Sequence, residues 1–178
     1  MSPRPAPDLD LRRDRIIEAA RKLAEEAEGW HAVTMRRRAG QLGVTQPVLY
    51  SAFDSRQALI DAVALDGFRG IAAALEAVAA SPMARMRAYL DFAAAHPRVY
   101  EAMFTMPSGL AFAADDTPEI LHRAFAGIAD VFPDADGTRA EVAWSALHGL
   151  ATLQASGRLR ASHVQARLEL AHDMLTKP

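Results

Sequence analysis

Apolar positions recur at three- and four-residue steps along most of the chain, the spacing that gathers side chains on one face of an α-helix. The first such pattern predicts a helix from about Leu11 to Glu28, ended by Gly29. Its apolar face contains Ile16, Ala20, Leu23, Ala24 and Ala27. No stretch shows the alternating apolar and polar residues of a β-strand. The pattern therefore predicts an all-α fold of about nine helices.

Further along the chain, residues typical of helix starts and ends divide the apolar pattern into separate helices. Asp54 or Ser55 is the predicted N-cap of a long helix that runs to about Val78. Gln57 is a possible reciprocal partner of Asp54 in a capping box. Proline-containing breaks end this helix and the two that follow it, at Ser81-Pro82, His96-Pro97 and near Met106-Pro107.

Three more helices complete the prediction. Thr117-Pro118-Glu119 has the order of an N-cap, a proline at the first helical position and an acid favoured by the helix dipole. The helix that follows is closed by Phe132-Pro133. The last two helices run from about Thr138 to Ser156 and from Ser162 to Leu175, and Gly157 separates them.

The stretch from residue 34 to residue 53 predicts two short helices joined by a tight turn at Gly43. Thr34 and Thr45 stand where N-caps belong, because their hydroxyls can accept from otherwise unpaired backbone N–H groups. Two short helices at an angle form a helix-turn-helix unit, whose second helix can enter a DNA major groove. An ordinary helical corner is the alternative interpretation. The run Arg36-Arg37-Arg38 favours the DNA interpretation, since phosphates respond to the local charge of the docking face.

Residues 12–68 resemble the N-terminal domain of the TetR family of transcriptional repressors. The Leu49-Tyr50-x-x-Phe53 run lies at the family's distance from Gly43. Other matching residues are Ile16, Ile17, Ala20, Gly29, Thr34, Ala39, Val44, Ser55, Ala58 and Leu59. Further on, Ala143–Leu150 resembles the Trp-His-Gly signature of one ligand-domain subclass. The resemblance implies a three-helix DNA-binding bundle followed by a helical effector-binding and dimerisation domain.

The predicted organisation has three parts: a Pro-rich disordered arm at 1–9, a helix-turn-helix domain at 10–55, and an effector-binding and dimerisation domain at 56–178. The 178 residues include no cysteine, which excludes disulfides and thiolate metal sites and fits the cytoplasm. No apolar run approaches the ~20 residues that span a bilayer. The net charge of −2 does not argue against DNA binding, because the arginines are concentrated at the predicted reader.

Geometry and the family resemblance assign roles within the reader. Gln46 and Pro47 lie in the first turn of the recognition helix, where side chains meet base edges. Tyr50 can offer its hydroxyl to a phosphate, and Arg56 stands where the family usually has a phosphate-contacting lysine. The predicted DNA contacts are Thr34, Arg36, Arg37, Thr45, Gln46, Pro47, Tyr50 and Arg56.

The last two predicted helices indicate how the chain assembles. The penultimate helix is apolar nearly all round, with Val142, Ala146, Gly149, Leu150 and Leu153 along one side, so it must be buried on more than one face. The final helix adds the stripe Val164, Leu168, Ala171 and Leu175. As the resemblance implies, these helices and their symmetry mates form a four-helix homodimer interface. The twofold axis of such a dimer predicts a palindromic operator on double-stranded DNA, with half-sites a multiple of ~34–36 Å apart. The alternative is a central core helix in a monomer.

Aromatic, methionine and histidine residues in the C-terminal part are candidates for a small-molecule effector pocket: Phe92, Tyr100, Met103, Phe104, Phe125, Trp144 and His148. Plain core packing is the alternative for most of them. Few charged groups fall among them, so an apolar or aromatic effector is expected, oriented by His148. The resemblance implies a repressor whose effector lowers its DNA affinity.

A helical metalloenzyme is the rival hypothesis. Glu119/His122 and Glu169/His172 both have the Glu-x-x-His spacing that two helices of a di-metal carboxylate bundle contribute. Such a bundle also needs inward-facing glutamates from two other helices. Glu76 and Glu101 are the only loose candidates for them. We therefore expect no catalytic residue, cofactor or bound metal.

Overall fold

The computed structural model describes residues 7–26, 29–30, 52–111 and 114–177. Within these ranges all regular structure is helical, which confirms the predicted all-α class. The described helices are α1 (Pro7–Glu26), α2 (Arg56–Glu76), α3 (Pro82–Ala95), α4 (Pro97–Phe104), α5 (Glu119–Ala129), α6 (Thr138–Ala155) and α7 (Val164–Thr176), with a 3₁₀-helix at Ala161–His163. The predicted count of about nine included two helices between residues 34 and 53, which lie largely outside the described ranges.

Helix α1 begins earlier than predicted, and α2 begins after one of its two predicted caps. Helix α1 starts at Pro7 rather than Leu11, so it includes residues 7–9 that the sequence assigns to a disordered arm. Ser55, and not Asp54, caps α2, because its Oγ accepts from the Ala58 backbone N–H at 3.0 Å. The predicted reciprocal bond from Gln57 to Asp54 is wrong. Its amide donates instead to the Asp61 carboxylate at 2.8 Å and to the Pro107 carbonyl at 2.6 Å.

Later helix ends follow the prediction more closely. Ser81 caps α3 through the Ala84 N–H, with a proline at the start of the helix. The predicted cap of α5 is wrong by one residue: Pro118 occupies the N-cap position, and the Thr117 hydroxyl accepts from the Ala114 N–H instead. Gly157 separates the last two helices with a φ of 67°, a left-handed conformation that glycine adopts without steric cost.

Two compact units divide the chain, Met1–Gly67 with Arg98–Leu110, and Phe68–Pro97 with Ala111–Pro178. The division by packing falls inside α2. It differs from the domain boundary predicted at residue 55, which was drawn on functional grounds and stays a prediction. In the first unit, large side chains from α1, α2, α4 and the residues before α2 are withdrawn from solvent, among them Ile16, Leu23, Trp30, Phe53, Leu59, Val99 and Met103.

The second unit is built around α3. This helix packs against α5, α6 and α7, and α6 also packs against α5 and α7. The interior is apolar, with buried side chains at Leu75, Met86, Tyr89, Ile128, Phe132, Leu147 and Leu168. Arg85 is the exception among the described residues, because it is the one buried charged side chain.

Candidate DNA-binding domain and effector site

The predicted DNA reader lies almost wholly outside the described residues. This applies to Thr34, Arg36, Arg37, Thr45, Gln46, Pro47 and Tyr50. Arg56 is described, at the start of α2, and its Nη2 donates to the Trp30 carbonyl at 2.7 Å. That bond ties α2 to the segment before the predicted reader, a structural role that sequence reasoning missed. The phosphate contact assigned to Arg56 stays a prediction.

Arg13 joins α1 to the last two residues of the predicted helix-turn-helix stretch. Its guanidinium lies 4.3 Å from the centroid of the Phe53 ring, and its Nη1 donates to the Ala52 carbonyl at 2.5 Å. A cation over an aromatic face contributes about 0.5–2 kcal/mol, depending on how far it is desolvated. Arg13 therefore has a structural task as well as the positive charge that the sequence shows.

A hydrogen-bond network around Trp30 connects α1 with the first turn of α4. The buried Trp30 indole donates to the Arg98 carbonyl at 2.7 Å, and the Arg98 N–H donates to the Glu25 carboxylate at 3.0 Å. Glu25 thus satisfies a backbone donor at a helix start from a different helix, where a negative charge is favoured. Arg21 and Asp66 add an ion pair between α1 and α2 at 2.5 Å. No local signal reveals these pairings, because their partners lie far apart in the sequence.

The predicted effector residues do not form one cluster within either unit. Tyr100, Met103 and Phe104 belong to the first unit, where the Tyr100 and Phe104 rings pack with centroids 4.7 Å apart. Phe92, Phe125, Trp144 and His148 belong to the second unit. Phe92, Tyr100 and Met103 are buried, as the alternative interpretation of plain core packing expects. Their proposed contact with an effector stays a prediction.

Phe125, Trp144 and His148 form a half-buried row in the second unit. The Phe125 and Trp144 rings meet edge to face at 6.4 Å, and the Trp144 and His148 rings lie 6.1 Å apart. Burial lowers the pKa of His148 and so favours its neutral imidazole. A neutral imidazole has one N–H donor and one acceptor nitrogen, which suits a polar contact with an uncharged group.

An open groove between α3 and α6 lies elsewhere in the second unit. Its volume is about 290 Å³, and it is lined by Leu90, Ala93, Ala94, Pro97, Ala151, Gln154 and Ala155. None of the predicted effector residues lines it. Four of the seven lining residues are alanines, and Gln154 is the polar side chain of the lining.

Helix α6 has one buried and one exposed apolar face in this chain. Ala140, Ala143, Leu147 and Ala151 are buried. The opposite face carries the α6 stripe, Val142, Ala146, Gly149 and Leu153, in which Val142 is 53% and Leu153 39% exposed. A Cβ added at Gly149 would meet no atom within 4 Å. The expectation that α6 is buried on more than one face is therefore not met by the chain alone.

Helix α7 also leaves apolar side chains uncovered. Of the predicted stripe Val164, Leu168, Ala171 and Leu175, only Leu168 is buried. Leu170 and Met174 lie one turn apart and are 62% and 73% exposed. Isolated exposed leucines are ordinary, but a row of them along neighbouring helices marks an interaction surface.

The alternative of a di-metal enzyme finds no support in the described residues. Glu119, His122 and Glu169 are exposed, whereas a di-metal bundle needs these side chains to project inward. His172 contacts Asp173 at 3.5 Å. Within the described ranges, no group of three or more His, Cys, Asp or Glu residues is placed to hold a metal ion. No described helix is long and apolar enough to cross a bilayer.

Solved structures share the fold over nearly the whole chain. The crystal structure of SCO4313, described as a candidate regulatory protein, has a TM-score of 0.77 at 26% identity, covering 99% of this chain and 100% of that one. A Rhodococcus sp. RHA1 protein of unknown function has a TM-score of 0.74 at 28% identity, covering 92% and 93%. A tetR-family transcriptional regulator from Streptomyces coelicolor shares the fold with a TM-score of 0.65 at 20% identity, covering 93% and 78%. The chain therefore shares an all-helical fold with these three proteins.

Sequence comparison gives the family. Residues 16–63 match the profile of bacterial regulatory proteins of the tetR family, and residues 83–177 match the tetracyclin repressor-like C-terminal domain. The uncharacterized HTH-type transcriptional regulator Rv0681 of Mycobacterium tuberculosis is 32% identical over 162 residues, covering 83% of this chain and 72% of the relative. The chain belongs to the TetR family and is a transcriptional regulator with a helix-turn-helix DNA-binding domain. The Trp-His-Gly subclass is not confirmed by these matches.

Proposed function

We propose that the protein is a cytoplasmic homodimeric repressor that binds a palindromic operator and leaves it when a small effector binds. The observation that carries this proposal is the exposed α6 stripe, accompanied by Leu170 and Met174 on α7. Two reading units must be held at a fixed distance to read two half-sites, and a symmetric helix interface does this.

The α6 stripe has the chemistry of a helix–helix contact. Its residues follow one another at steps of four, three and four, so they lie along one side of the helix. Ala146 and Gly149 lie in the middle, where small side chains allow two backbones to approach closely. Val142 and Leu153 at the ends supply apolar area, at about 25 cal/mol for each Å² buried.

DNA recognition is assigned to the reader at residues 34–56. In this proposal Gln46 and Pro47 contact base edges, and Thr34, Thr45, Tyr50 and the arginines contact phosphates. Family membership supports the groove-reading arrangement. Individual contacts rest on the positions of these residues in the predicted helices.

Release follows from a shift between two conformations. An effector lowers DNA affinity only as far as it prefers the non-binding conformation, and near-complete release takes several kcal/mol of preference. In the first unit, the Trp30 network ties α4 to α1, and Arg56 ties α2 to Trp30. A displacement of α4 or α2 therefore pulls on the segment that precedes the reader.

Arg37→Ala is expected to weaken operator binding and reduce its salt dependence. Each lost phosphate contact lowers the slope of log K against log salt by about one unit, hence about two for the two copies in a dimer. The measurement is fluorescence anisotropy on operator DNA selected from a random pool, at several salt concentrations. Arg139→Ala is the control, because Arg139 is exposed on α6 and should leave the slope unchanged. An equal slope for Arg37→Ala and wild type would contradict the contact.

The same selection tests the proposal as a whole. A dimeric reader should recover sites with twofold symmetry and a half-site spacing that matches one helical turn or a multiple of it. A protein that remains monomeric at micromolar concentration and selects no symmetric sequence would refute the proposed function.

A further inference from the structure

Arg85, in the first turn of α3, is buried in the second unit with two of its guanidinium nitrogens unbonded. Its side chain is 8% exposed. Nε and Nη1 are both shielded from solvent, and among the described residues neither has a hydrogen-bond acceptor. A guanidinium carries a positive charge and offers only donors, so the group is a buried cation.

The surroundings of Arg85 are apolar on one side. Its Nη1 lies 3.5 Å from the point where a Cβ of Gly127 would stand, and that point is 2.8 Å from Leu75 Cδ1. Leu75 is fully buried, and Gly127 is a buried residue of α5. The guanidinium thus lies beside backbone and hydrocarbon, where an unpaired charge is costly.

Glu76, whose pKa the charge of Arg85 also helps to lower, makes its hydrogen bonds with another arginine. Glu76 accepts from Arg123 twice, at 2.6 Å from Nε and 2.5 Å from Nη2. This bidentate pairing is the main reason why the pKa of Glu76 lies below its usual value. Two arginines and one glutamate leave the cluster of Arg85, Arg123 and Glu76 with a charge of +1.

We infer that Arg85 binds the carboxylate of the effector, whose remaining body is apolar or aromatic. The inference rests on the proposed function, because it names the chemical class of that function's effector. A buried cation whose nitrogens lack hydrogen-bond acceptors lowers stability, and a bound carboxylate removes this cost by pairing with it. The apolar effector expected from the sequence thereby gains one acidic group, which the list of aromatic candidates did not reveal.

Charge selects a carboxylate over a phosphate. One carboxylate neutralises the cluster charge of +1, whereas a phosphate dianion would leave excess negative charge next to Glu76. The hydrocarbon around Leu75 and Gly127 also favours a ligand whose single charge is joined to an apolar group.

The test is the melting temperature of the full chain with sodium benzoate, its uncharged analogue benzamide, or inorganic phosphate, all at equal ionic strength. Benzoate at tenfold above its Kd should raise the melting temperature of wild type by about 3–6 °C, and benzamide and phosphate should not. Arg85→Met should lose the benzoate response. Arg69→Met is the matched control, because Arg69 is exposed on α2 in the same unit and should retain the response.

Arg85→Met has a second expected result. Without ligand, it should melt at a higher temperature than wild type, by about 3 °C or more, because methionine fills the space without a buried charge. A lower melting temperature would assign Arg85 to fold support and overturn the inference. So would an absent benzoate response in wild type, an equal response to phosphate, or a response that persists in Arg85→Met. Operator binding, measured separately, shows whether the proposed function fails as well.

Discussion

Leu153→Glu is expected to convert the protein from a dimer into a monomer and to reduce operator affinity by more than about a hundredfold. Leu153 closes the α6 stripe, and it is 39% exposed in the protomer. In a symmetric interface each substitution counts twice, so two carboxylates would enter an apolar contact without partners. Burial of an unpaired charge costs several kcal/mol, and each 1.4 kcal/mol is tenfold in affinity.

Molecular mass in solution measures this result, by light scattering across a range of protein concentrations. Leu11→Glu is the matched control, because Leu11 is also an exposed leucine on a helix, at 59%, but belongs to α1 and not to the α6 stripe. It should remain dimeric. Equal dimerisation of both variants would show that the α6 stripe is not the interface. Circular dichroism should show the same helicity for both, since neither side chain is part of the protomer core.

Gly67→Ala is expected to destabilise the chain by about 1–3 kcal/mol, although alanine is the better helix former. A Cβ at this position of α2 would lie 2.6 Å from Val99 Cγ1 and 2.6 Å from Met103 Sδ, both on α4. Val99 and Met103 are each 1% exposed, so packed neighbours hinder their retreat. The overpacking therefore outweighs the 0.5–1 kcal/mol that alanine contributes in an open helix.

Urea unfolding measures the free-energy change. The double variant Gly67→Ala/Met103→Ala provides the internal control, because a shortened Met103 removes both of its close contacts with the new Cβ. Its destabilisation should be smaller than the sum of the two single variants. Additive values, or a Gly67→Ala protein as stable as wild type, would show that α2 and α4 do not meet this closely.

Much of the fold was predictable because the residues that pattern, start and end a helix lie only a few positions apart in the sequence. The ends of α6 and α7 lie within two residues of the predicted ones, since the pattern at 138–156, the break at Gly157 and the apolar steps after it are short-range signals. The family was predictable for a similar reason: Gly43, Leu49, Tyr50 and Phe53 form a compact motif whose spacing survives in a single sequence.

Caps and pocket residues were predicted less well. Ser55 is the one of the two predicted residues that caps α2. Pro118 rather than Thr117 lies at the α5 cap, because the Thr117 hydroxyl accepts from the Ala114 N–H instead. The aromatic candidates for the effector pocket were chosen by residue type alone. Periodicity says that Met103 or Phe92 faces inward, but it does not say which helix each one meets.

The amino-acid sequence by itself determined the helical class, most helix limits and the TetR-type reader, because each depends on residues a few positions apart. Tertiary structure alone decided which apolar faces stay uncovered, that Trp30 bonds to the backbone of Arg98, and that Arg85 is buried beside Gly127. Those outcomes depend on which helices pack together. Burial and the loss of solvent around a charge arise only when distant segments meet.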